Sequence, residues 1–269
     1  MDTWLPCSTA NDEDWEAMTS SDVAVVAGAA GDIGRAICQI LTGRGLAVVG
    51  LDIVGQPEGL ATAGWHIVDL SDGDFPEDLG PQLCAAGPVR HVFHVIGGSD
   101  ADELREPDPV RIPMEVFRRT VALNLYSAYG VIRGTVEELR KTSGDRSYTL
   151  FSSLNALGGY GAPGYSSSKA ALHGLVRSLA VPLSREAIRI NAVALGTTRT
   201  ENYVRLAGQA GREVDFDRLG AALVPRGSVL EPAEAATAAV ALGLENPAVT
   251  GTVLVVDAGQ SLMRPRARS

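Results

Sequence analysis

Residues 22–53, DVAVVAGAAGDIGRAICQILTGRGLAVVGLDI, decide the fold. DVAVVAGA is a short valine-rich run ending in glycine and alanine, the mark of a buried strand. GDIGRAICQILTGRG follows with apolar residues at helical spacing and glycines at its close. LAVVGLDI is a second buried strand, with the carboxylate of Asp52 near its end. Strand, glycine turn, helix and strand together form one parallel crossover unit.

The same alternation runs outward from this stretch. GWHIVDLS (64–71) and PVRHVFHVIGG (88–98) read as strands, with a helical segment near 75–86 between them. One long helix is expected over 114–144, a strand at SYTLFSSL (147–154), another long helix over 162–187, and a strand at IRINAVALG (188–196). Residues 197–231 are polar and irregular, and their Gly, Pro and acid content suggests a mobile lid. A helix near 232–244 and the strand in TGTVLVVDAG (250–259) close the chain. The prediction is an α/β fold: a doubly wound parallel sheet of the Rossmann type, covered by helices on both faces, in a single domain. That domain spans 22–262, after an acidic extension at 1–21 and before a solvated basic tail at 263–269.

Hydrophobic residues make up 45% of the 269, enough to bury a real core. A net charge of −9 argues against nucleic acid, whose phosphates require a basic stripe. No apolar run reaches the length of a bilayer span, so no membrane partner is expected. The three cysteines, Cys7, Cys38 and Cys84, have neither disulfide nor metal spacing, and the N-terminus lacks the regions of a signal peptide. A cytoplasmic location is expected.

AGAAGDIG (27–34) lies where the first strand turns into the first helix. Gly28 permits the tight turn, Gly31 admits a pyrophosphate close to the backbone, and Gly34 lets the helix pack on the strand. The helix N-terminus then offers unpaired N–H groups to phosphate. Asp52 follows at the spacing of an acid that grips a ribose. A ligand-free structural turn is the plainer alternative.

GYSSSKAALHG (164–174) contains Lys169, one of only two lysines in the chain, four residues after Tyr165. On a helix the two share a face. A neighbouring cation favours phenolate, and a phenol tuned towards neutral pH can exchange a proton with a substrate oxygen. Ser152 and Ser153 end the preceding strand and could hold that oxygen.

Taken in order, these motifs resemble those of the short-chain dehydrogenases/reductases, in their single-domain branch, over residues 22–262. AGAAGDIG is similar to the family's nucleotide loop, which implies cofactor contacts from Gly28, Gly31, Asp32, Ile33 and Gly34. VDLS resembles the segment that meets the adenine, here Asp69 and Leu70. NLYSAYG (124–130) resembles the segment whose asparagine, Asn124, bends a helix and relays protons through a water. INAVALGTTRT matches the nicotinamide loop, implying Gly196, Thr198 and Thr200. The resemblance implies Tyr165 as acid/base, Lys169 lowering its pKa and holding the ribose, and Ser153 binding the substrate oxygen. It also implies a dimer or tetramer built on the two long helices and the last strand. VPLSREAIRI and TGTVLVVDAG carry more apolar residues than one sheet face would bury.

The chain departs from the family pattern in places. Asp32 stands where the family has glycine, and Ala27 replaces threonine. HVIGG (94–98) replaces Asn-Ala-Gly, leaving Gly97 and Gly98 beside the cofactor, and Leu195 replaces proline. The family's Ser-to-Tyr spacing selects Ser152, whereas alignment of the strand end selects Ser153; the strand end is preferred because loops vary. His91 and His94 alternate to opposite sheet faces and cannot share a metal, so no metal is expected. His173, four residues beyond Lys169, reads as structural.

The function expected is oxidoreductase: hydride transfer between a secondary alcohol or ketone and NAD(H). Asp52, with no Arg or Lys in the residues after it, would accept the ribose of NAD and repel the 2′-phosphate of NADP. A non-catalytic dinucleotide sensor or scaffold is the alternative. Because ligands bind beyond the strand C-termini, 99–112, 154–164 and 197–231 are expected to line the substrate pocket.

Overall fold

Alternate residues of the first strand feed two separate cores. In the computed structural model, which describes residues 22–158 and 161–263, β1 (Val23–Ala27) is buried throughout. Val23, Val25 and Ala27 enter one apolar cluster, while Ala24 and Val26 enter another. A strand buried on both faces needs no polar alternation, which is why it reads as a continuous valine run. The expected extension at 1–21 lies outside the described residues, as does all of the expected tail but Met263.

The chain continues through α1 (Asp32–Gly43), β2 (Ala47–Asp52), β3 (Gly64–Ile67), α2 (Leu79–Leu83), β4 (Val89–His94) and α3 (Ala101–Arg105). Then come α4 (Met114–Val121), α5 (Ser127–Arg140), β5 (Arg146–Ser153), α6 (Pro163–Ser184) and β6 (Ile188–Leu195). Helices α7 (Glu201–Gln209), α8 (Phe216–Leu223) and α9 (Pro232–Leu244) lead to β7 (Val253–Val256). The seven strands form one sheet in the order β3-β2-β1-β4-β5-β6-β7, every pairing parallel. Residues of α5 and α6 fill one core and residues of α1 and α9 fill the other, one on each face. The doubly wound Rossmann fold is thus as expected.

Two expectations change. The single helix over 114–144 is interrupted by a π turn at Ala122–Tyr126, where the Ser127 N–H bonds to the Ala122 carbonyl instead of Leu123. Residues 197–231 are not irregular, because they contain α7 and α8. Thr200 caps α7 by accepting from the Tyr203 N–H, and Asp215 caps α8 by accepting from Asp217 and Arg218. Phe216, Val224 and Val229 form a small core of their own. Short amphipathic helices of this kind are set by caps more than by hydrophobic content.

Candidate active site

Sheet order reverses direction between β1 and β4, and the loops beyond these strands leave a crevice there. The Val95 N–H bonds to the Ala27 carbonyl, so the glycine loop and the Gly97–Gly98 loop lie side by side. Gly28 has φ +86°, and a Cβ on it would stand 2.9 Å from the Ile96 nitrogen. At Gly34 a Cβ would be 2.1 Å from the Gly28 carbonyl oxygen, so helix and turn meet without room for a methyl. Gly31 differs: its φ is an ordinary −69°, and a Cβ there would meet only the Gly28 oxygen, at 3.7 Å. Nothing in the protein itself demands glycine at this position; the bare backbone leaves an open cradle.

Gly31 is also the N-cap of α1 and supplies no side-chain bond to the first-turn amides. Those amides lack acceptors within the helix, and an anion satisfies both them and the helix dipole. Asp52 Oδ2 accepts from the Ala30 N–H at 2.9 Å, fixing the loop from the end of β2. Asp32 is turned to other work. One oxygen pairs with Arg35 at 2.6 Å, and the other accepts from the Glu201 N–H at 2.7 Å. The cradle fits the pyrophosphate and ribose of a dinucleotide.

Beyond β3, Asp69 accepts from the Ser71 N–H at 2.9 Å, and its bonds to Ser71 hold the carboxyl below the usual range. Leu70 is buried in the core, so only its backbone can meet a ligand. Gly97 has φ +154°, and a Cβ on it would lie 2.5 Å from both Asn124 Oδ1 and Lys169 Nζ. Asn124, fully buried in the π turn, donates to the Gly98 and Thr120 carbonyls at 2.8 Å and accepts from the Gly98 N–H at 3.1 Å. Here the asparagine side chain itself secures the second glycine loop.

The two serines of β5 part company. Ser152 Oγ donates to the Lys169 carbonyl at 3.0 Å and meets His173 Nε2 at 2.7 Å, which makes His173 the donor. Its hydroxyl is spent holding α6. Ser153 caps the short turn after β5, accepting from the Asn155 N–H at 3.2 Å and donating to Asn155 Oδ1 at 3.4 Å. Burial raises the Tyr165 pKa and the Ser153 hydroxyl works against it. Lys169 Nζ donates to the Phe151 carbonyl at 2.7 Å and stands 5.7 Å from the centre of the Tyr165 ring. Burial brings the lysine down to about 7. The Tyr165 phenol is thus raised by its burial, not lowered by the lysine as expected.

Beyond β6, a Cβ on Gly196 would lie 2.9 Å from Asp257 Cα, and Thr198 donates to the Gly196 carbonyl at 3.0 Å. Thr200, expected at the nicotinamide, has its hydroxyl engaged as the α7 cap.

Sequence reasoning missed Glu103. Its carboxylate, 3% exposed, accepts from the Gly164 and Tyr165 N–H groups at 2.5 and 3.3 Å. It thus caps the helix that carries Tyr165 from across the fold; a cap supplied 61 residues away leaves no local signature. A cavity of ≈ 590 Å³ opens between the 99–102 loop, α4 and α7, lined by Ser71, Asp100, Arg119, Leu123 and Arg205 among others. Residues 99–102 and Arg205, Leu206 and Gln209 line it, whereas Ser153, Tyr165 and Lys169 do not.

His91 bonds to Ser147 on the α9 side and His94 to Ser127 on the α5 side, as strand alternation requires. Burial lowers them to about 4 and about 3. Among the described residues no His, Cys, Asp and Glu cluster could hold a metal.

A family model described as enoyl-(acyl carrier protein) reductase matches residues 28–261. An L-rhamnose 1-dehydrogenase (NAD(P)(+)) from a Sphingomonas strain is 34% identical over 55% of this chain and 58% of its own length. A cis-4-hydroxycyclohexanecarboxylate dehydrogenase from Sinomonas cyclohexanicum is 29% identical over 88% of this chain and 95% of its own. Among solved structures, a ligand-free aldohexose dehydrogenase from Thermoplasma acidophilum superposes with a TM-score of 0.79 at 25% identity, covering 93% of this chain and 97% of that one.

Proposed function

The chain belongs to the short-chain dehydrogenase/reductase family of oxidoreductases, and on that premise we propose that it interconverts a secondary alcohol and a ketone with NAD(H). The observation that carries this reading is the meeting of Ser153, Tyr165 and Lys169 beside Gly97. NAD, when bound, supplies the hydride acceptor, and NADH the donor. Gly28, Gly31, Ile33 and Gly34 would hold its pyrophosphate, Asp52 its adenosine ribose, and Asp69 with the Leu70 backbone its adenine. Gly97, Gly196, Thr198 and Thr200 would flank the nicotinamide, with Tyr165 and Lys169 at the second ribose.

Ser153 holds the substrate oxygen at the phenol. As phenolate, Tyr165 takes the hydroxyl proton during oxidation, and as phenol it returns the proton during reduction. Lys169, brought near neutrality by burial, would take up the proton that the phenol first gives up, and Asn124 keeps the Gly98 loop in register beside it. Ser152, bonded to the Lys169 carbonyl and to His173, orients α6 instead. A non-catalytic sensor would need the cradle alone, and no observation favours it.

Preference for NAD over NADP is supported by Asp52 at the end of β2 and by Arg35, whose guanidinium is held by Asp32. Relatives named for sugars and for a cyclic hydroxy acid make ring-borne hydroxyls the first substrates to try. Exposed Tyr126, Tyr129, Val181, Leu254 and Val255 support a homodimer or homotetramer. Among the described residues no helix is long and apolar enough to cross a membrane, and unpaired Cys38 and Cys84 suit a cytoplasmic enzyme. A panel of sugars and cyclic alcohols with NAD and NADP, followed at the nicotinamide absorbance, tests the proposal. Reduction of neither cofactor by any secondary alcohol would refute it.

A further inference from the structure

Asp32 breaks the family's glycine pattern and makes a bond that a glycine cannot. Its side chain is 15% exposed at the first position of α1, at the mouth of the cradle. Oδ2 accepts from the Glu201 N–H, the first amide of α7, at 2.7 Å. That amide has no acceptor inside its own helix, because the first-turn N–H groups of any helix are unpaired. Thr200 caps the same turn by accepting from Tyr203, so the two acceptors divide the end of α7 between them. Arg35 binds Oδ1 at 2.6 Å and reaches to 4.0 Å from the Glu201 carboxylate, steadying the arrangement.

The far end of α7 is fastened elsewhere. Arg105 donates to the Gln209 carbonyl at 2.7 Å and Arg212 to the Leu104 carbonyl at 2.8 Å, tying it to α3. Between these ends, Asn202 and Leu206 stand over Gly98, and Leu206 lines the large cavity. The position of α7 therefore depends on α3 at one end and on the cofactor loop at the other.

We infer that Asp32 is a positioning residue that clamps the cavity helix α7 to the cofactor loop, coupling the dinucleotide seat to the wall of the cavity between α4 and α7. The clamp has a cost on the cofactor side. A carboxylate on the first turn of α1 occupies the favourable field that a pyrophosphate would use, and Arg35 offsets only part of its charge. Closing the wall and seating the dinucleotide thus draw on one side chain. This rests on the dinucleotide reading of the loop, but the clamp itself can be measured without any ligand.

The test compares Asp32→Gly and Asp32→Asn with the unmodified protein. Hydrogen exchange at the Glu201 amide, ligand-free, should quicken by roughly tenfold in Asp32→Gly, where no acceptor remains. In Asp32→Asn, which keeps a neutral acceptor, it should stay within about twofold. Calorimetric titration should give a Kd for NAD about threefold or more tighter in Asp32→Asn, because the carboxylate charge has gone and Arg35 is released from its ion pair. Unchanged Glu201 exchange in Asp32→Gly overturns the clamp. An equal or weaker NAD affinity in Asp32→Asn overturns the coupling. Absence of NAD binding by the unmodified protein would refute the proposed activity and the coupling with it, while the exchange result would still decide the clamp.

Discussion

Ser152 and Ser153 differ by one residue in β5, and strand alternation sends their hydroxyls to different tasks. Ser153→Ala should therefore cost about tenfold or more in kcat, through loss of a bond to the substrate oxygen. Ser152→Ala should cost less in rate and show its effect in stability, since it frees the His173 N–H and the Lys169 carbonyl. Steady-state kinetics on both variants checks the ranking. Asp52 makes a second prediction at this scale. A carboxylate facing a 2′-phosphate is a like-charge contact, so kcat/KM should favour NAD over NADP by at least about a hundredfold, equivalent to about 2.8 kcal/mol. Asp52→Ser should narrow the ratio; equal use of both by the unmodified protein would contradict the assignment. Lys169 makes a third. Its folded pKa of about 7 lies below its ordinary 10.5, so across that interval the unfolded chain holds the extra proton. Stability contributed by this site accordingly rises as pH climbs from about 7 to about 10.5. Replacement by Met should stabilise the ligand-free protein more at pH 7 than near pH 10, as thermal melts of both proteins would register.

At the scale of elements, α6 is the most informative. Its first turn is capped by Glu103 from α3, so Glu103→Ala leaves two buried amides without their acceptor and should cost about 1–3 kcal/mol in urea unfolding. Glu103→Gln retains one acceptor and should lose less. The periodicity of α6 and the Tyr165–Lys169 spacing were legible in the sequence, because both are local. Glu103 was not, because nothing near position 103 announces a bond to residue 164. Helices α7 and α8 were missed for a different reason. They are only nine and eight residues long, too short for a clear helical period, and Thr200 and Asp215 as caps were the signal that could have found them. The π turn at Ala122–Tyr126 likewise falls inside a continuous helical pattern, and only the asparagine at its centre hinted at a bend.

For the whole molecule, the parallel sheet was legible because its central strands are doubly buried and most crossovers carry a helix period; the β2–β3 connection has no helix, and β3 is only partly buried. Asp32 was legible only as an anomaly; its bond to the Glu201 amide joins positions 169 apart and belongs to the folded chain alone. Exposed apolar side chains on α5, α6 and β7 lead to the expectation of a dimer or tetramer at micromolar concentration. Light scattering that gives a stable monomer would contradict it. The central claim is that Tyr165 moves the proton while hydride passes to NAD, and Tyr165→Phe tests it most directly. Turnover of a cognate alcohol, read at the nicotinamide absorbance, should fall by about 10²–10⁴-fold while the Kd for NAD stays within about threefold. A variant that keeps more than about a tenth of the unmodified rate would contradict it.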